Sequence, residues 1–192
     1  MKYKIVYADP PWQSEPGWFN NKSWKTTKFE NHYPTMTIKD ICNLPVFDIC
    51  DKNCHLYLWT TSRNLLKGDA WKVATEWGFR PINVLTWCKP QLGIGNYFRN
   101  NTEHLIFCVR GQMSTQNTNY SGTHFIHKRL RHSQKPDVVR DWIVSWSGDL
   151  PRIELFARQK VSGWDSWGNE IESDIVLPQP NNIPSGMVKE QK

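Results

Sequence analysis

Residues 8–12 read Ala-Asp-Pro-Pro-Trp and follow directly on the apolar run Lys4 to Tyr7. A carboxylate at a strand tip, two prolines and an indole bring together groups that seldom share one turn. Pro10 and Pro11 fix their own φ angles and lack N–H groups, so the turn is stiff and its carbonyls are expected to point outward without internal partners. The Asp9 carboxylate and the Pro10 carbonyl then make a rigid pair of acceptors, with the Trp12 ring beside them. That set suits a planar ligand bearing an NH2 group, whose flat face stacks on the indole for about 1 to 3 kcal/mol per base. The plainer alternative is an Asp-capped strand end with a buried Trp. The full tetrapeptide directly after an apolar strand favours the chemical reading.

The elements that must position this turn follow from the pattern of apolar residues. Lys4 to Tyr7, His55 to Thr60, Ile82 to Trp87, His104 to Val109 and Arg152 to Phe156 read as strands, several apolar on consecutive positions, as in strands covered on both faces. Three helical patterns lie between them. One near Thr37 to Cys42 opens with the box of Thr37 and Asp40. A second runs from Arg63 to Trp77, with Leu66, Ala70, Val73, Ala74 and Trp77 on one stripe and Gly78 ending it. In the third, Pro136 takes the first turn and Val138, Val139, Trp142, Ile143 and Trp146 form the apolar face. Strands alternating with helices predict an α/β fold with a mostly parallel sheet, where ligands bind beyond the carboxyl ends of the strands.

Two long polar segments, Gln13 to Met36 and Gln112 to His132, interrupt the alternation and read as functional or disordered loops. The lone Gly93-Ile94-Gly95 lacks a third glycine and reads as a flexible loop instead of a dinucleotide fingerprint. The length of 192 residues predicts one domain, 1–172, followed by a flexible tail, 173–192, rich in proline and poor in apolar residues.

Five cysteines, Cys42, Cys50, Cys54, Cys88 and Cys108, lack the pairing of a disulfide framework and point to a reducing compartment. A zinc site from Cys42, Cys50, Cys54 and His55 is disfavoured, because Cys54 and His55 open an apolar run and no second ligand pair follows at finger spacing. No metal is expected. With no run long enough to span a bilayer and no secretory pattern, the reading is a soluble cytoplasmic protein. The 24 basic against 18 acidic residues suit a polyanionic partner. Eleven tryptophans are many, and some are expected to line a groove.

The turn "ADPPW" resembles the catalytic motif of amino-group methyltransferases that use S-adenosylmethionine. With "HYPTMT" (32–37), "LYLWTTSRNL" (56–65), "EWGFRPINVLTWCKP" (76–90), "NTEHLIFCVRG" (101–111), "HSQKPD" (132–137) and "IELFARQKVSGWDSWGNE" (153–170), the chain resembles the adenine-N6 methyltransferase family. That family includes the catalytic subunit of the eukaryotic mRNA methyltransferase and many small bacterial and phage proteins, and the resemblance runs collinearly from about residue 3 to 170. It implies a Rossmann-like fold with helices on both faces of the sheet and a permuted motif order, the catalytic strand first. By the same resemblance Asp9, Pro10, Pro11 and Trp12 form the catalytic loop, and Lys135 grips the carboxylate of the cofactor, S-adenosyl-L-methionine. Arg158, Asn169 and Glu170 hold its ribose, Tyr33 belongs to the substrate-side loop, and Glu103 with His104 forms a further pair. Positions 159–161 depart from the pattern, being Gln, Lys and Val where the eukaryotic subunit has polar cofactor contacts.

The expected activity is methyl transfer to adenine N6 in nucleic acid, DNA before RNA. Cytosine N4 or a glutamine side chain are the other amino groups such loops serve, and a non-catalytic nucleic-acid-binding partner is the reading from outside enzymes. Trp18 and Trp24 are candidates for base stacking, and Lys22, Lys25 and Lys28 in the first polar segment, with Lys128, Arg129 and Arg131 in the second, for phosphates. With no separate recognition domain, the chain is expected to work as a homodimer or heterodimer.

Overall fold

The computed structural model describes residues 2–13, 35–93, 97–117, 122–129 and 133–177. In chain order the elements are β1 (Tyr3–Ala8), α1 (Ile38–Cys42), α2 (Val46–Ile49), β2 (Cys50–Thr60), α3 (Ser62–Lys67), α4 (Asp69–Glu76), β3 (Arg80–Cys88), β4 (Thr102–Arg110), β5 (His124–Ile126), α5 (Val138–Ser147), β6 (Arg152–Leu155) and β7 (Asp165–Trp167). The strands form one sheet in the order β5-β3-β4-β2-β1-β6-β7. β1 pairs in parallel with β2 and β6, as do β3 with β5 and β6 with β7; only β4 runs antiparallel to its neighbours β2 and β3.

Alternation along the central strands explains their unbroken apolar runs. Val6, Ala8, Leu56 and Leu58 face one core with Ile41 of α1 and Ala70, Val73 and Ala74 of α4. Ile5, Tyr7, Tyr57 and Trp59 face the other, closed by Val139 and Ile143 of α5. Each strand is therefore buried on both sides. Three tryptophans are fully buried core residues, not groove residues, and each N–H is satisfied: Trp59 donates to the Tyr7 hydroxyl at 2.7 Å, Trp77 to Ile41 O at 2.9 Å and Trp87 to His127 O at 2.8 Å.

The single helix expected from Arg63 to Trp77 is two. Gly68, at φ +79°, caps α3 through its N–H to the Leu65 and Asn64 carbonyls and turns the chain into α4. The break takes Leu66 off the stripe of Ala70, Val73 and Ala74 and leaves it 90% exposed. The second polar segment is not all loop, because its residues 124–126 form β5 beside β3. Residues 173–177, placed in the tail by the sequence, make ordered contacts. Asp174 N–H donates to Ser166 O at 2.8 Å, its carboxylate accepts from Ser166 N–H at 2.9 Å, and Leu177 is buried in the first core.

His55 is a structural residue, with Nδ1 against Ser147 Oγ at 2.8 Å and Nε2 against Met113 O at 3.0 Å. Among the described residues, no three His, Cys, Asp or Glu side chains are grouped to hold a metal. No described helix is long and apolar enough to cross a membrane.

Candidate active site

Because β1, β2, β3, β5, β6 and β7 share a direction, their carboxyl ends lie along one edge of the sheet, and antiparallel β4 brings its amino end there. Asp9 leaves β1 at this edge, Lys89 leaves β3, and Glu103 enters β4 opposite Trp87. Lys135 arrives on the approach to α5. Its Nζ donates to Asp9 Oδ2 at 2.7 Å and lies 3.2 Å from Glu103 Oε2, while Glu103 Oε1 is paired with Lys89. Four charges, two of each sign, thus form one chain. The Lys89 ammonium stands 4.5 Å from the Trp87 ring centre and the Lys135 ammonium 5.5 Å from that of Trp59.

Burial and pairing act in opposite directions on these groups. Burial raises the Asp9 carboxyl above its ordinary value against the pull of Lys135. For Glu103 burial acts upward too, but the Lys135 and Lys89 ammonium groups outweigh it and hold the carboxyl below the usual range. Burial pulls Lys135 down, and the two carboxylates more than compensate, so its ammonium is held more firmly than in water.

The DPPW turn is tied down by its backbone. The Pro10 carbonyl is not without an internal partner: it accepts from Trp12 N–H at 2.8 Å, while the Pro11 carbonyl accepts from Met36 N–H at 2.8 Å. A carbonyl has two lone pairs, so Pro10 O retains acceptor capacity. Trp12 is half-buried, packs against the first core, and donates its indole N–H to Trp59 O at 3.1 Å, which fixes the ring.

Beside this turn lies a cavity of about 550 Å³ whose wall includes Asp9, Lys135, Arg140, Phe156, Arg158 and Glu170. Arg158 Nε is 3.6 Å from Glu170 Oε1 across it. Two wall residues, Ser133 and Phe156, sit at φ +62°, a strained conformation for side chains other than glycine and one that clusters at functional sites. Gly168 brings Glu170 to the wall, since a Cβ there would lie 2.1 Å from Ala157 O. A neighbouring hollow of about 610 Å³ shares Asp137, Arg140 and Gln159 but has no residue of the DPPW turn, so chemistry selects the first.

The cofactor implied by the resemblance has a zwitterionic amino-acid end and a ribose diol. The residues present fit it: the Lys135 ammonium and Asp9 carboxylate match the zwitterion, the Glu170 carboxylate can accept from hydroxyls, and the volume is that of a cofactor site.

The structure brings together Asp9, Lys135, Arg158 and Glu170 of the expected residues. Asn169 is exposed and does not line the cavity, and Lys128 and Arg129 are exposed beyond β5. Trp18, Lys22, Trp24, Lys25, Lys28, Tyr33 and Arg131 lie outside the described residues. His104 bonds to Ser62 Oγ at 3.0 Å and Thr86 Oγ1 at 3.1 Å and turns away from the charge chain. Sequence reasoning missed Lys89, Arg140 and Glu154. Lys89 follows an apolar strand immediately, as Asp9 does, and that shared position was the available signal.

Residues 3–170 match the MT-A70 family. The chain is 33% identical to the Type II methyltransferase M.MunI of Mycoplasma sp, over 95% of this chain and 84% of that protein. It is 25% identical to the human N(6)-adenine-specific methyltransferase METTL4 and 24% identical to the N6-methyladenosine RNA methyltransferase MTA1 of Cryphonectria parasitica, each over 88% of this chain. It spans only 37% and 52% of the length of those two.

Proposed function

The chain belongs to the MT-A70 family, and from that premise we propose that it transfers a methyl group from S-adenosylmethionine to the N6 amino group of adenine in nucleic acid, with DNA as the substrate. The observation that carries the proposal is Asp9: a carboxylate at the strand edge, anchored by Lys135 through one oxygen, on the wall of a cavity that also presents Arg158 and Glu170.

Adenine's amino nitrogen is a poor nucleophile because its lone pair is delocalised into the ring. Asp9 and the remaining lone pair of Pro10 O accept its two N–H bonds, localise that lone pair, and stabilise the positive charge that develops on nitrogen. When bound, the cofactor supplies an activated methyl group on sulfonium; Lys135, Arg158 and Glu170 would hold it. Alignment of the reacting groups accounts for about 7 to 11 kcal/mol of the barrier, so no strong base is required. Once nitrogen has gained its new bond to carbon, Asp9 or water takes the surplus proton. A base stacked in a duplex cannot reach this turn, so the target is flipped out or already single-stranded, at a cost of a few kcal/mol.

The test is incubation with labelled S-adenosylmethionine and single-stranded DNA, duplex DNA or RNA, followed by digestion to nucleosides. The expected product is labelled N6-methyladenine from DNA, absent with Asp9→Ala. Label in cytosine, or label undiminished in Asp9→Ala, refutes the assignment. The fungal relative's name specifies RNA, so label from RNA alone would move the substrate to that polymer.

A further inference from the structure

The connection from β3 to β4 leaves the sheet at the edge where Asp9 stands. Its stem continues the ladder: Lys89 N–H donates to Asn101 O at 2.8 Å, and Gly93 N–H to Asn100 O at 2.9 Å. Beyond the stem Tyr97 is 80% exposed and Phe98 91% exposed, followed by Arg99, whose Nε donates to Gly93 O at 3.0 Å. The segment after β5 lies against the same stem, through His127 N–H to Cys88 O at 3.2 Å and Arg129 N–H to the Gln91 side chain at 3.3 Å. Exposed Lys128 and Arg129 therefore border the loop. At its base Lys89 connects through Glu103 and Lys135 to Asp9.

Adjacent aromatic rings this exposed mark a surface that something covers. The charge identifies what. No Asp or Glu occurs from Lys89 to Asn101, nor from Arg110 to Pro136, although the chain carries 18 acidic residues. A purely basic surface repels its own copy and attracts a polyanion. Aromatic faces among basic side chains are what unpaired nucleotides bind.

We infer that Tyr97 and Phe98 form a stacking platform for the unpaired bases flanking the target adenine, with Arg99, Lys128 and Arg129 on the adjoining phosphates. This rests on the nucleic-acid reading above and extends it to residues outside the cavity.

Fluorescence anisotropy with labelled 15-nucleotide single strands of DNA and of RNA, over a series of salt concentrations, tests it. Tyr97→Ala with Phe98→Ala is expected to weaken binding about 10-fold or more with an unchanged salt slope. Arg99→Ala should reduce the slope of log K against log salt by about one. Circular dichroism and cofactor binding by titration calorimetry should match the wild type in both. Binding of both strands indifferent to the loss of both rings overturns the platform. So does loss of a wild-type dimer in sedimentation while oligonucleotide binding persists, which would make the loop a self-association surface. If the wild type transfers no methyl yet loses oligonucleotide affinity with its rings, the platform stands and adenine methylation falls. Methyl transfer with ring-independent binding does the reverse, keeping the methylation and removing the platform.

Discussion

Arg140 of α5 and Glu154 of β6 lock the helix to the sheet at the cavity wall, and Arg140→Met measures how much of the fold depends on that lock. Arg140 Nε donates to Glu154 Oε2 at 2.7 Å and Nη2 to Oε1 at 2.8 Å, with side chains 11% and 10% exposed. Removing the guanidinium strands a buried carboxylate, which costs about 3 to 5 kcal/mol. That is about a fifth or more of the roughly 5 to 15 kcal/mol that holds a domain folded. With a urea slope of about 2 kcal/mol per molar, the midpoint should fall on the order of 2 M. Burial already raises Glu154 against the pull of Arg140, and without Arg140 its folded-state value rises further. A carboxyl raised on folding favours the folded state only when protonated. The destabilisation should therefore be smaller in acid and grow as pH climbs from the unfolded value, about 4.3, through the folded one. Urea melts at pH 5 and pH 7.5 read this directly. Arg140→Met with Glu154→Leu removes both charges and should recover most of the loss. A single variant within about 1 kcal/mol of wild type at neutral pH, or a double variant as weak as the single, would refute the reasoning.

Three further outcomes follow from the site. Asp9 must be ionised to accept from an amino group, and burial holds its carboxyl high, so the acid limb of methyl transfer should turn above about pH 4. Glu103→Gln removes a like charge and leaves Lys135 to Asp9, moving that limb toward acid; a move toward alkali in the pH–rate profile contradicts the charge chain. Gly168→Ala forces a Cβ against Ala157 backbone atoms, so a loss of about 1 to 3 kcal/mol in thermal or urea unfolding is expected, with weaker cofactor binding as Glu170 moves; an unaffected variant contradicts the close packing.

Much of this was legible in sequence because period and type agree. The five strands built from apolar runs are present, and Thr37 caps α1, its hydroxyl accepting from Asp40 N–H at 3.1 Å. What was hidden depends on partners distant in sequence. β5 and β7 are three residues each and exist because an edge strand is there to pair with them. Gly68 falls inside the single helix expected from Arg63 to Trp77, and only its left-handed φ reveals two helices. In the site, Asp9 was conspicuous by its prolines, but the acceptor role expected of Pro10 is half used by Trp12 N–H. Lys89 and Glu103 lie 14 residues apart on antiparallel strands, and their meeting follows from the β3·β4 register, which no local pattern specifies.

Under the function proposed above, the charge chain lets one lysine serve both a catalytic carboxylate and an anionic ligand. An ammonium has three donors, and in Lys135 one is engaged by Asp9 and one lies toward Glu103. Among the described residues the third meets the Ser133 carbonyl, at 3.5 Å, so a ligand carboxylate can be added without breaking either pair. Asp9 likewise uses only Oδ2 for Lys135, leaving Oδ1 for an amino donor. Lys89 acts from behind: its ammonium helps hold Glu103 ionised, so that this carboxylate can steady Lys135. A site arranged this way is polarised before any ligand arrives, so little reorganisation remains for the reacting step.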